Sequence, residues 1–178
     1  MLVKTYTAAV MGLDAQTVTV EVSISSGSQF RMTGMADVAV RESADRIRAA
    51  FLNTGFRFPQ ADTTVNMAPA DIKKEGSGYD LPVAVGILAA MKKIDATRLE
   101  RFMMVGELGL GGQLLPIRGA LPISIRARAE KFDGLIVPKQ NIREAAVVNN
   151  LKVYGMENLA DLVNFFNGDT VTYQPTVI

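Results

Sequence analysis

Cysteine and histidine are both missing from the 178 residues of this chain. Without cysteine there is no disulfide, no thiolate nucleophile and no sulfur-ligated zinc. Without histidine there is no Ser-His-Asp triad and no imidazole metal centre. No apolar run reaches the length of about eighteen residues that a membrane helix needs. The opening Met1, Leu2, Val3 and Lys4 do not form a basic region followed by an apolar stretch, so the reading predicts no membrane partner, no secretory leader and a cytoplasmic location. An excess of either charge is missing too. A formal net charge of +1 supplies no global basic field, so any contact with nucleic acid has to come from a local patch. The G-x-x-x-x-G-K-S/T phosphate loop is absent, as are internal repeats and low-complexity segments.

What is present is an ordinary globular composition, 48% hydrophobic and 21% charged, enough for one sizeable core with room for two lobes. The stretch Thr63 to Met91 organises it. Thr64 to Met67 predicts a strand, Lys73 to Gly78 a basic, glycine-containing loop, and Leu81 to Met91 a helix without a single charge. About eleven residues containing Ala84, Ala89 and Ala90 is long for a buried strand, Pro82 suits a first helical turn, and Asp80 is placed to cap it. A helix apolar on every side must be covered on every side, which puts it in the middle of the domain. Each buried Leu or Ile there contributes roughly 1.5 to 3 kcal/mol. At its amino end, Gly76, Ser77 and Gly78 allow close backbone approach, and free N–H groups with the helix dipole favour an anion. The same loop also reads as a plain cap on a core helix.

Upstream, Val3 to Val10 and Thr17 to Ile24 read as antiparallel strands joined through Gly12, Leu13 and Asp14, and Gln29 to Thr33 as a third strand. Asp37 to Asn53 reads as an amphipathic helix with Val40, Ala44, Ile47 and Phe51 inward, ended by Gly55, and with Glu42–Arg46 and Arg41–Asp45 pairs on a solvated face. Downstream, Phe102 to Val105 starts a strand and Gly106 to Ile117 a hairpin around Gly111 and Gly112. Gly119 to Lys131 predicts a helix with Leu121, Ile125 and Ala129 inward. Leu135 to Val137 is a short strand, Asn141 to Val148 a small helix, Lys152 to Tyr154 a strand and Leu159 to Phe166 a last helix. This half is α/β in pattern, and the first half antiparallel. Thr170 to Ile178 reads as an extended strand or a linker.

With His and Cys gone, a hydrolase would need a Ser-Lys pair or two carboxylates. Ser77 lies near Lys73 and Lys74, but loop lysines are normally solvated and protonated, hence poor bases unless buried.

The segments KKEGSGYDLPVAVGIL, VGELGLGGQLLPIRGALP and LIVPKQN, with GMADVAVRESADRIRAA and FPQADTTVNMAPADIKKEGS, resemble the amino-terminal domain of the magnesium-chelatase-like AAA+ ATPases of the ComM/YifB type over nearly the whole chain. The resemblance implies an α/β (α+β) fold similar to the proteolytic domain of Lon and to the corresponding RadA domain, a ribosomal-protein domain 2-like superfold. It implies a Lon-like domain over residues 1–168 and a tail or linker over 169–178 toward an ATPase module. Lon's motif runs lysine, acid, glycine, proline, serine, alanine, glycine. With Lys74, Glu75 and Gly76 matched, the nucleophile position falls on Gly78 and Ser77 on the proline, while the catalytic lysine position, four after Ile117, is Leu121. Both halves of the dyad are missing, so no catalytic residue and no enzyme activity are expected of this chain. The implied role is a non-catalytic assembly and DNA-engaging domain of a hexameric ATPase in homologous recombination or natural transformation. Its partners are further copies of itself and DNA. No cofactor or metal is expected here, with ATP and Mg belonging to the ATPase module. Lys73, Lys74, Gly76, Ser77, Gly78 and Arg118 are the expected DNA- or anion-contacting residues. Phosphate or nucleotide binding at the Gly76–Gly78 loop, as in small-molecule kinases of similar fold, and a pure oligomerisation or partner module are the alternatives.

Overall fold

The computed structural model describes residues 1–177. In chain order the elements are β1 (Leu2–Met11), β2 (Asp14–Ser25), β3 (Phe30–Thr33), α1 (Asp37–Thr54), β4 (Asp62–Ala68), α2 (Asp80–Ala90), β5 (Phe102–Met104), β6 (Glu107–Leu108), β7 (Leu114–Leu115), α3 (Ala120–Ala129), β8 (Gly134–Pro138), α4 (Ile142–Ala145), β9 (Val153–Met156) and α5 (Leu159–Phe166). Seven strands form one sheet in the order β3-β4-β2-β1-β5-β8-β9, and β6 with β7 makes a separate hairpin.

The longest ladder runs from Leu2 opposite Ser23 to Met11 opposite Asp14, and β4 adds antiparallel on the far side of β2. β5, β8 and β9 continue the sheet from β1 in parallel. The antiparallel expectation for the first half fails at its edge, where β3 pairs with β4 in parallel. The reason is connectivity: α1 lies between them and carries the chain back, as a parallel crossover requires.

Alternation along the strands divides the interior into two layers. Val18, Val20 and Val22 of β2, with Met104 and Ile136, pack beneath α1, α2 and α5. Ala8, Ala15, Met103, Leu135 and Val137 pack beneath α3 and α4 on the opposite face. Every residue of α2 is buried, as a charge-free helix demands. Its carbonyl at Pro82 accepts the hydroxyl of Thr5 from β1 at 2.9 Å.

Four further expectations are corrected. In α3 the buried residues are Ala120, Ile123, Ser124 and Ala127, while Leu121, Ile125 and Ala129 face outward. That helix carries apolar side chains on two faces, and the sheet takes the smaller one. The solvated Glu42–Arg46 pair does not form, because Arg46 turns toward Asp80. The tail is not a strand among the described residues. It folds back instead, with the Tyr173 hydroxyl donating to Asp161 at 2.8 Å and the Thr176 N–H to the Val153 carbonyl at 2.7 Å. Ile178 lies outside the described residues. The segment expected to be helical from Asn141 to Val148 is α-helical only over α4, whereas α5 matches its expected span and carries a reciprocal Asn158–Asp161 capping box. Among the described residues no helix is long and apolar enough to cross a membrane.

Candidate anion-binding cleft

The loop before α2 ends where β1 and β5 diverge. The Gly106 N–H donates to the Gly78 carbonyl and the Leu81 N–H to the Gly106 carbonyl, each at 3.0 Å, so the loop is tied to the segment leaving β5. Two glycines are needed for this path. Gly76 has φ +86°, a left-handed conformation that L side chains disfavour, and a Cβ on Gly78 would lie 3.0 Å from Val105 Cγ2. The result is a cleft of about 520 Å³ whose walls include Lys73, Glu75, Gly76, Ser77, Gly78 and Tyr79 on one side. Ala8 and Val10 of β1, with Val105, Pro116, Ile117, Arg118 and Ile123, complete it.

The backbone N–H groups of Gly76, Ser77, Gly78 and Tyr79 have no protein acceptor among the described residues. Four adjacent free donors at a helix start form a concave site of positive potential. Arg118 is exposed at the rim and makes no ion pair among the described residues. Lys73 is also at the rim, but its Nζ lies 2.8 Å from the Glu75 carboxylate, which holds the ammonium above its ordinary range and leaves it paired. Tyr79 is buried, and burial, followed by the Glu75 charge, pushes its phenol up to about 12, so it stays a protonated donor at neutral pH.

Of the six residues expected here, five converge on the cleft: Lys73, Gly76, Ser77, Gly78 and Arg118. Lys74 does not. Its ammonium turns inward and donates to the Pro69 carbonyl at 2.6 Å and the Ile72 carbonyl at 3.0 Å. It is only 6% exposed, and desolvation lowers its pKa. The expectation of a solvated loop lysine is therefore wrong at Lys74 and right at Lys73.

Asp80 was expected to cap α2, and it does something else. Its carboxylate, 1% exposed, accepts from Ser43 Oγ at 2.6 Å, Arg46 Nε at 2.6 Å, Arg46 Nη2 at 3.0 Å and the Leu108 N–H at 3.1 Å. Burial pushes this carboxyl upward, and the Arg46, Ser43 and Leu108 donors pull against the rise. The carboxylate thereby clamps α1 and the β6–β7 hairpin to the first turn of α2, fixing the loop immediately before it.

Sequence reasoning missed Tyr79 and the β1 wall. Tyr79 adjoins the glycine loop and was open to notice; Ala8 and Val10 carry no local signal. The Gly78 position lies in the cleft, whereas Leu121, where the Lon comparison seeks a base, is exposed on α3 and is not among the residues lining it. Among the described residues no cluster of three or more acidic, His or Cys side chains could hold a metal.

Comparison with known proteins gives consistent relatives. The family described as subunit ChlI of Mg-chelatase matches residues 20–141. The competence protein ComM of Haemophilus influenzae is 43% identical over 164 residues, covering 92% of this chain and 32% of its own length. The uncharacterised protein YifB of Salmonella typhimurium is 37% identical, covering 96% of this chain and 34% of its own length. A Lon protease of Aster yellows witches'-broom phytoplasma is 26% identical over 157 residues, covering 80% of this chain and 20% of its own. The chain thus spans about a third of the length of the ComM and YifB relatives. The mixed α/β sheet and the Lon similarity agree on a Lon-like fold.

Proposed function

Because this chain belongs to the magnesium-chelatase-like family of the ComM and YifB type, we propose that it is a non-catalytic assembly and DNA-engaging domain of a hexameric AAA+ ATPase acting in homologous recombination or natural transformation. The observation that carries the reading is the cleft itself. It keeps a donor-rich loop and an unpaired Arg118 at its rim but has glycine at the Lon nucleophile position and leucine at the Lon lysine position, and the lysine on its wall, Lys73, is held protonated by Glu75. Such a surface suits a phosphate, and the absence of the Lon serine–lysine dyad supports a non-catalytic role. The residue range 1–168 acts as the domain, and the tail after Gly168 leads toward the motor.

ATP and Mg²⁺ are what the family implies for the full-length protein. The residues here do not fit metal-dependent ATP hydrolysis: no Walker loop occurs, and no acidic cluster among the described residues could hold the metal. Neither ATP nor casein-like peptides should be turned over by this chain. Peptide turnover that vanishes in Ser77→Ala would show that the cleft is catalytic after all.

Phosphate contacts position without reading base order, so binding should be indifferent to sequence and weaken with salt. A single copy with net charge +1 binds weakly, and a ring presenting Arg118 repeatedly binds better through avidity. Fluorescence anisotropy with single-stranded and branched DNA over a salt series checks this, comparing the parent with Arg118→Ala and Lys73→Ala. Affinity and salt slope unchanged in both variants would refute the site. No binding even by an assembled ring would leave a pure oligomerisation module.

A further inference from the structure

Two hydroxyls at the start of α2 lack partners. Thr7 Oγ1 is buried and makes no hydrogen bond among the described residues. Tyr79 is 5% exposed, and its hydroxyl likewise has no hydrogen bond to a described residue. Thr7 does not line the cleft and Tyr79 does, so the Tyr79 hydroxyl, which is not sealed from solvent as Thr7 Oγ1 is, is the one free to donate to an occupant.

Their placement follows from the packing. Thr5 and Thr7 project from the same face of β1. Gly86 abuts Val22 and Thr5, and the Pro82 carbonyl accepts the Thr5 hydroxyl, so α2 runs against the direction of β1. Val105, which touches the Gly78 position, lies two residues beyond Met103, the register partner of Tyr6. Thr7 therefore falls level with Gly78 and Tyr79. Tyr79 lines the cleft, and so does Glu75, the charge that acts on its hydroxyl.

The free donors now number more than a carboxylate's two oxygens can use: four backbone N–H groups, the Ser77 and Tyr79 hydroxyls and the Arg118 fork. A phosphate, with three terminal oxygens, matches them. The opposite wall, formed by Ala8, Val10, Val105 and Ile117, is apolar and offers nothing to the phosphate itself. At about 520 Å³ the space exceeds what a bare anion fills and lies within the range of small-molecule sites.

We propose that the cleft binds a nucleoside phosphate, with the phosphate on the Gly76–Tyr79 backbone, the Tyr79 hydroxyl and Arg118, and the nucleoside against the Val10 and Val105 wall. The inference rests on the reading of the loop and Arg118 as anion contacts. The phosphate belongs either to a free nucleotide or to the 5′ end of a DNA strand, and the two sources are separable.

The test is isothermal titration of the full chain with adenosine 5′-monophosphate, adenosine, inorganic phosphate, and a short oligothymidylate with and without a 5′-phosphate. The monophosphate, the 5′-phosphorylated strand or both should bind at least about tenfold more tightly than adenosine, phosphate or the unphosphorylated strand. Tyr79→Phe, which removes only the hydroxyl, should weaken that binding about three- to tenfold at an unchanged thermal midpoint. Should Tyr79→Phe misfold, Ser77→Ala serves, with the same loss expected. No heat from either phosphorylated ligand at millimolar concentration, or parental affinity in the variant that folds, overturns the inference. Long DNA bound in an Arg118-dependent way while both phosphorylated ligands are ignored also overturns it, and leaves the DNA reading intact. Tight monophosphate binding with long DNA ignored upholds it and removes the DNA reading.

Discussion

Replacing Gly86 by alanine sets two effects against each other. In an isolated helix interior the change favours folding by about 1 kcal/mol. Here the new Cβ would lie 2.7 Å from Val22 Cγ2 and 3.7 Å from Thr5 Cγ2. Carbon atoms prefer roughly 3.5 to 4.0 Å, so Val22 has to withdraw by most of an ångström. It is badly placed to do so. Val22 is fully buried, its β-branched side chain is stiff, and its backbone is held between Val3 of β1 and Val65 of β4. Overpacking of this kind costs about 1 to 3 kcal/mol, which exceeds the propensity gain over most of that range. We expect Gly86→Ala to lose about 1 kcal/mol net, lowering the thermal midpoint by about 2 to 4 °C in a chain of this size. Gly86→Leu should not fold. Urea denaturation followed by far-UV circular dichroism, at constant m, measures the loss. The double variant Gly86→Ala/Val22→Ala should show a favourable coupling, since the second change makes the missing space. A Gly86→Ala midpoint at or above the parent's would refute the close seating of α2 on β1 and β2.

Arg46→Ala leaves the Asp80 carboxylate buried with Ser43 and Leu108 alone, and should cost about 3 kcal/mol in a urea titration at neutral pH. Because the folded Asp80 carboxyl is raised, its stability contribution is present below the unfolded value near ~3.9 and is lost as pH rises through the folded value. The Arg46→Ala deficit should therefore shrink on acidification toward that value, and a deficit that is constant with pH would contradict the clamp. Lys74→Ala, which strips the donor from the Pro69 and Ile72 carbonyls, should lower stability by roughly 1 to 3 kcal/mol. Lys73→Ala, by contrast, should leave the thermal midpoint where it is, and equal effects at the two positions would show that Lys74 is as solvated as its neighbour.

What the sequence made legible depended on distance along the chain. The charge-free run from Leu81 to Met91 reads as a covered helix, and it is one up to Ala90, because that conclusion needs only local information. The run from Thr17 to Ile24 likewise announced a strand, and Val18, Val20 and Val22 are its buried face. Asp80 was misread because three of its four donors come from α1, more than thirty positions upstream, and the fourth from a hairpin. Nothing in a helix-start pattern distinguishes a capping aspartate from one recruited by such remote groups. Lys73 and Lys74 are adjacent and chemically identical, so only the path of the loop decides which is buried. α3 was turned the wrong way because periodicity is ambiguous when two faces are apolar; Ala120, Ile123 and Ala127 suit the tight approach to the sheet, and the larger Leu121 and Ile125 are left outside. The loop half of the cleft was legible from its glycines. The β1 half was not, since Ala8 and Val10 become a wall only when the strands diverge.

Among the described residues, β5 joins β1 through one register pair, Tyr6 with Met103, whereas β1 and β2 are zipped along their whole length. Mechanically, the sheet is sewn along one side of β1 and riveted at a single point on the other. The cleft begins where the rivet ends, with Ala8 and Val10 on one lip and Val105 on the opposite lip. A molecule lodged between the lips adds a second rivet, so occupancy stiffens the seam between the antiparallel and parallel halves. Amide exchange in Met103 to Gly106 would slow when the cleft is filled, while the β1–β2 ladder would stay as protected as before.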